Sequence, residues 1–101
     1  MVEEVSVTQA RRLMKGGAVL LDVRTKGEWD RSRLPGAILI PLHELPHRLA
    51  EVPQGDVIVY CHHGNRSKTG AMLLTRAGRH AMSMRGGIDE WSDTDTAIPR
   101  Y

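Results

Sequence analysis

Two apolar runs, A-V-L-L-D-V at residues 18–23 and D-V-I-V-Y at 56–60, constrain the fold more than anything else in the chain. Each is a nearly unbroken stretch of aliphatic and β-branched side chains of strand length, without the polar alternation of a half-exposed strand. Strands of this kind are covered on both faces, as in a parallel sheet, and parallel neighbours must be joined by crossover connections, usually helices. Shorter segments at 4–6, 37–40 and 80–84 bring the number of expected strands to five.

Helices fit the intervals. Thr8 stands where it can cap one that runs through Ala10, Leu13 and Met14 until Gly16 and Gly17 stop it. Residues 25–32 make a short polar helix carrying Glu28 and Trp29, ended by the extended turn Leu34-Pro35-Gly36. Pro46 cannot occupy a helix interior, so a turn over 42–45 is expected to lead into a helix beginning at Pro46, with Leu45, Leu49 and Val52 facing inward. The clearest helix is 67–77, with Met72, Leu73 and Leu74 as apolar content and Gly78 as its stop. A last short one covers 88–91. The order βαβαβαβαβα predicts an α/β fold with right-handed crossovers. It is a single domain over 1–101, built on a mostly parallel five-stranded sheet with helices on both faces, and 92–101 reads as a loose tail. Ligands of such sheets bind beyond the carboxyl ends of the strands.

Charge and composition exclude several classes. A net charge of +2 with interspersed acids and bases gives no extended cationic face for nucleic acid. No apolar stretch is long enough to span a bilayer, and the acidic start lacks the pattern of a signal peptide. One cysteine makes no internal disulfide, so a free thiol and a cytoplasmic location are expected.

That cysteine opens the most informative segment, C-H-H-G-N-R-S at 61–67, which joins the fourth strand to the strongest helix. A glycine-containing strand-to-helix loop can turn successive backbone N–H groups into one concavity, backed by the positive end of the following helix. His62, His63, Gly64, Asn65, Arg66 and Ser67 thus form a candidate anion cradle. At its rim the Cys61 thiolate is favoured by the same groups and by Arg66, which makes it a ready nucleophile. The competing reading, a small buried hydrophobe, loses ground because of where the residue sits.

The loop resembles the C-x-x-G-x-R-S active-site loop of the rhodanese family. Further segments resemble that family's other signatures in order: L-L-D-V-R at 20–24, E-W at 28–29, L-P-G-A-I-L-I-P at 34–41 and G-G-I-D-E-W at 86–91. The resemblance implies that Cys61 attacks the sulfane sulfur of a small anionic donor such as thiosulfate and holds it as a persulfide. A thiol, or cyanide in the test tube, then removes the sulfur. Arg66 and the loop amides bind anions, His62 and His63 steer donors or add charge, and no metal or organic cofactor is needed. The resemblance also implies that Glu28 braces Arg66. Asp22 and Arg24 either organise the strand end near the loop or make an ordinary surface salt bridge. Arg33 departs from the family, which often has histidine there.

Other readings are set beside this one. Cysteine phosphatases and arsenate reductases resemble C-x5-R, a wider ring than the four residues enclosed by Cys61 and Arg66. A persulfide carrier with a dedicated protein donor or acceptor would keep both residues, whereas a non-catalytic binding module of this type usually lacks the cysteine. A metal site at His43 and His47, or at Cys61, His62 and His63, is disfavoured because Pro46 spoils helical spacing and adjacent ligands rarely reach one ion. Mercaptopyruvate as donor goes with a different loop, C-G-S-G-V-T. Trp29 and Trp91 are assigned to packing.

Overall fold

The computed structural model describes residues 2–101. Five strands, β1 (Glu3–Val5), β2 (Val19–Asp22), β3 (Ile38–Leu39), β4 (Val57–Tyr60) and β5 (Ala81–Met84), form one sheet in the order β1-β5-β4-β2-β3. Every pairing is parallel, so the sheet is wholly rather than mostly parallel. β2 and β4 lie side by side near the middle, with Leu20 opposite Ile58 and Asp22 opposite Tyr60. Their central place is the physical reason for their continuous apolar sequence: both faces of each are buried.

Four α-helices, α1 (Val7–Lys15), α2 (Lys26–Arg31), α3 (Asn65–Arg76) and α4 (Gly87–Asp93), fill the crossovers and the end of the chain. The side chains of β4 alternate between two cores. Ile58 and Tyr60 pack with Ala10 of α1 and with Ile88 and Trp91 of α4. Val57 and Val59 pack with Ala71 and Leu74 of α3 and with Leu45 and Val52. Helices therefore cover both faces, and Trp91 is a core residue as expected.

Several local expectations need correction. Ser6, not Thr8, caps α1: the Ser6 hydroxyl accepts from the Gln9 N–H at 3.1 Å while the Gln9 side chain accepts from the Ser6 N–H at 2.8 Å. This reciprocal capping box satisfies two otherwise orphaned amides, more than a lone threonine offers. The segment from Pro46 forms no α-helix but two single 3-10 turns, Leu45–His47 and Leu49–Glu51. Arg48 between them, at φ −128°, breaks the helical path, and four short i to i+3 hydrogen bonds satisfy the backbone. Leu45 and Val52 still end fully buried, with Leu49 packed beside them. Finally, 92–101 is no loose tail. α4 continues to Asp93, Ile98 is buried, and Tyr101 reaches back across the carboxyl ends of the strands. An irregular segment fixed by single anchors leaves no periodic trace in sequence.

Among the described residues no helix is long and apolar enough to cross a membrane, and no group of three His, Cys, Asp or Glu is placed to hold a metal ion.

Candidate active site

Tyr60 ends β4, and Cys61 follows at the carboxyl edge of the sheet, where crossover loops open. α3 begins at Asn65, two residues earlier than expected, so Arg66 joins Ser67 in its first turn instead of lying ahead of it. That shift matters for the sulfur. A helix leaves its first amides without intrahelical partners, and here two amides at the helix start find Cys61. The Gly64 N–H donates to Sγ at 3.1 Å and the Ser67 N–H at 3.4 Å. The Ser67 hydroxyl lies 3.5 Å from Sγ and is itself fixed by Ser83 of β5 at 2.7 Å.

The turn that aims these amides is only possible for glycine: Gly64 has φ +109°, where a side chain would be strained. The opposite side of the loop is held by α4. The Ile88 N–H donates to the Cys61 carbonyl at 2.9 Å and the Asp89 N–H to the His62 carbonyl at 3.1 Å. Carbonyls thus point to one helix start while amides gather on the sulfur at another. Gly87 sits between: a Cβ there would lie 2.3 Å from the His62 carbonyl oxygen and 2.4 Å from that of Cys61. Gly87→Ala is expected to lower stability by at least about 1–2 kcal/mol from its left-handed backbone alone. Because the overlap falls on the cysteine loop, the same variant should also slow alkylation of Cys61, as a thiol-titration time course would show.

Cys61 itself is only 1% exposed, so the sulfur forms the floor of the site rather than its surface. Arg66, in the first turn of α3, makes the expected pair with Glu28, two parallel hydrogen bonds of 2.7 and 2.9 Å. Arg66's hydrogen bonds hold the Glu28 carboxyl well below the usual carboxylate range, at about 2. A depressed value means that ionised Glu28 contributes its stability in full above pH 4.5 and loses it as pH falls through about 2. The stability gap between wild type and Glu28→Gln is accordingly expected to stay flat above pH 4.5 and to close toward pH 2, measurable by urea unfolding across that range.

His62 and His63 stack ring on ring at 4.1 Å, and both face Asp89 at 3.7 Å. Partial burial, with His63 adding to it, lowers the His62 pKa and favours its neutral form, leaving Arg66 as the permanent cation of the 61–67 segment. Asn65 is exposed at the first position of α3. Asp22 and Arg24, for which two readings stood open, are both fully buried, so they are no surface salt bridge. Asp22 accepts the Arg24 backbone N–H at 2.9 Å and the guanidinium at 2.7 to 3.1 Å. Arg33 lays its guanidinium over the half-buried Trp29 ring at 4.9 Å from its centroid, away from the sulfur's contacts.

Sequence reasoning missed Ser83, Gly87 as a spacer, and Tyr101. A lone hydroxyl inside the apolar strand A-M-S-M was a usable sign for Ser83, and Gly87 lay within a quoted segment. Tyr101 had no signal at all.

A family model for the rhodanese-like domain matches residues 6–94, nearly the whole chain. The chain belongs to the rhodanese family. It is 36% identical over 96 residues to a sulfurtransferase of Allochromatium vinosum, covering 91% of this chain and 90% of that one. The thiosulfate sulfurtransferase GlpE of Pseudomonas syringae is 31% identical over 88 residues, 85% of this chain and 83% of its own. Among solved structures, the human single-domain sulfurtransferase TSTD1 superposes with a TM-score of 0.84 at 27% identity, over 94% of this chain and 99% of that one. Other relatives, named adenylyltransferase and sulfurtransferase, are longer, and the match spans only 22–26% of them. The five-stranded parallel α/β architecture is thus the rhodanese fold.

Proposed function

We propose that this rhodanese-family protein is a sulfurtransferase that moves sulfane sulfur from thiosulfate to a thiol or to cyanide through a persulfide on Cys61. The observation that carries the reading is the placement of Sγ on two backbone N–H groups at the start of a twelve-residue helix whose first turn also carries Arg66. In the first half-reaction the Cys61 thiolate attacks the outer sulfur of thiosulfate. A new S–S bond forms, the donor's own S–S bond breaks, and its electron pair leaves with sulfite. In the second, the acceptor's carbon or sulfur takes the outer sulfur, and the pair returns to Cys61 as thiolate. The amides and helix dipole stabilise anionic sulfur before and after each step, and Arg66 draws in the dianionic donor.

Loop size supports this over oxyanion chemistry. Only four residues separate Cys61 from Arg66, and two amides already converge on a single atom. A tetrahedral phosphate or arsenate needs a wider ring of donors.

Intact-mass spectrometry of reduced protein before and after thiosulfate tests the proposal. A gain of about one sulfur, reversed by cyanide and prevented by prior alkylation of Cys61, is the expected result. No gain from thiosulfate, with a gain from a persulfide-bearing protein, would assign the chain as a carrier fed by a partner. No gain from either would sink sulfur transfer altogether.

A further inference from the structure

Arg66 is aimed by Glu28, so the geometry of the site depends on what aims Glu28. One carboxylate oxygen, Oε1, takes the Thr25 N–H and hydroxyl, both at 3.2 Å, besides Arg66. These contacts close the capping box of the short helix α2, which buries no residue of its own. The other oxygen, Oε2, faces Arg66 and the Tyr101 hydroxyl at 3.0 Å.

That hydroxyl also contacts Arg24 Nη1. The direction of both bonds is fixed by chemistry: a guanidinium only donates and a carboxylate only accepts. Arg24 therefore donates to the Tyr101 oxygen, and the single phenolic proton points at Glu28. Arg24 itself cannot move. It is fully buried, bound to Asp22, and its Nη2 donates to the Ser32 carbonyl at 2.6 Å. Tyr101 is in turn held in place: its ring lies against His62 at 4.3 Å, and Arg100 beside it pairs with Asp89 at 2.6 Å. The phenol thus joins the rigid end of β2 to the less buried Glu28–Arg66 pair and touches the first histidine of the loop as well.

We propose that Tyr101 is a positioning residue of the site: its hydroxyl transmits the fixed position of the buried Asp22–Arg24 pair through Glu28 to Arg66, and so sets where an anion meets Cys61. Removing the hydroxyl leaves the ring on His62 but cuts the link. Arg24 Nη1 would retain only the Glu28 carbonyl at 3.5 Å, and Glu28 Oε2 would retain only Arg66.

The test compares wild type, Tyr101→Phe and Arg66→Met in the rate of Cys61 alkylation by iodoacetate, an anion, relative to neutral iodoacetamide. Loss of a hydrogen bond to a charged group is expected to lower that ratio roughly tenfold in Tyr101→Phe, toward the Arg66→Met value. The rate with iodoacetamide and the thermal midpoint should change little. In turnover, the KM for thiosulfate should rise while kcat holds. A wild-type alkylation ratio in Tyr101→Phe overturns the proposal, as does an equal slowing with both reagents, which is what general loosening of the fold would give. In a Glu28→Gln background Tyr101→Phe should lower the ratio no further, and an additive loss there also counts against it. The KM arm presupposes sulfur transfer from thiosulfate, whereas the alkylation ratio does not. A wild type that alkylates as expected but ignores thiosulfate would therefore remove the donor assignment and leave the role of Tyr101 standing.

Discussion

Cys61→Ser is expected to fold normally and to lose thiosulfate:cyanide sulfur transfer by more than about a thousandfold, to the level of the uncatalysed reaction. The two halves of this expectation have separate causes. Serine is smaller than cysteine, and its hydroxyl would inherit the partners of Sγ: the Gly64 and Ser67 amides and the Ser67 hydroxyl all lie within 3.5 Å of that position. A buried hydroxyl with partners costs little, so the thermal midpoint should stay within a few degrees. The chemistry does not survive the exchange. An alcohol is hardly ionised near neutral pH, and an oxygen–sulfur adduct is a poor store for sulfane sulfur. No other thiol in the chain can take over, because Cys61 is its one cysteine. Steady-state assays on the purified variant, with circular dichroism to establish folding, decide the matter. Appreciable turnover by a folded Cys61→Ser protein would remove the persulfide from the mechanism.

The parts of this molecule legible from sequence are those where one residue type has one physical explanation. An unbroken run such as D-V-I-V-Y is costly to expose and too short for a helix, so the central strands and the parallel sheet followed from it. C-H-H-G-N-R-S combined a cysteine, a glycine able to reverse the chain and a helix start, and the structure places the first against amides supplied by the other two. The Glu28–Arg66 pair was expected from family resemblance, and it is present as a bidentate contact.

What escaped is long-range or equivocal by nature. Ser6 and Thr8 are both good caps, and only the partnership with Gln9 separates them. Pro46 permits an α-helix to start, but it equally permits a 3-10 turn, and the short span before Pro53 favours the tighter form. Asp22 and Arg24 read identically whether buried or exposed, because composition does not say which strand end a crossover will cover. Tyr101 lies 73 residues from the carboxylate it touches, in a stretch without periodicity.

Asp22→Ala should be among the most destabilising single changes available to this protein, at about 3–5 kcal/mol. Both members of the pair have fully buried side chains, and Asp22 accepts from the Arg24 backbone, its Nε and its Nη2. Without the carboxylate the guanidinium stays buried with neutral partners only, the Ser32 and Glu28 carbonyls and the Tyr101 phenol. The loss is large against a total of roughly 5–15 kcal/mol for a domain of this size. It should lower the thermal midpoint by roughly 12 °C or more. Urea unfolding measures it directly, and a cost under about 1 kcal/mol would mean that the charge is not buried in solution. A double variant, Asp22→Leu with Arg24→Met, separates stability from function. Apolar replacements of similar size remove both charges together, so much of the lost stability should return. With Arg24 replaced, the route from β2 through Tyr101 to Glu28 is cut, so the KM for thiosulfate should stand above the wild-type value in a protein that is again stable. If stability and KM instead recover together, the buried pair acts only as a structural brace.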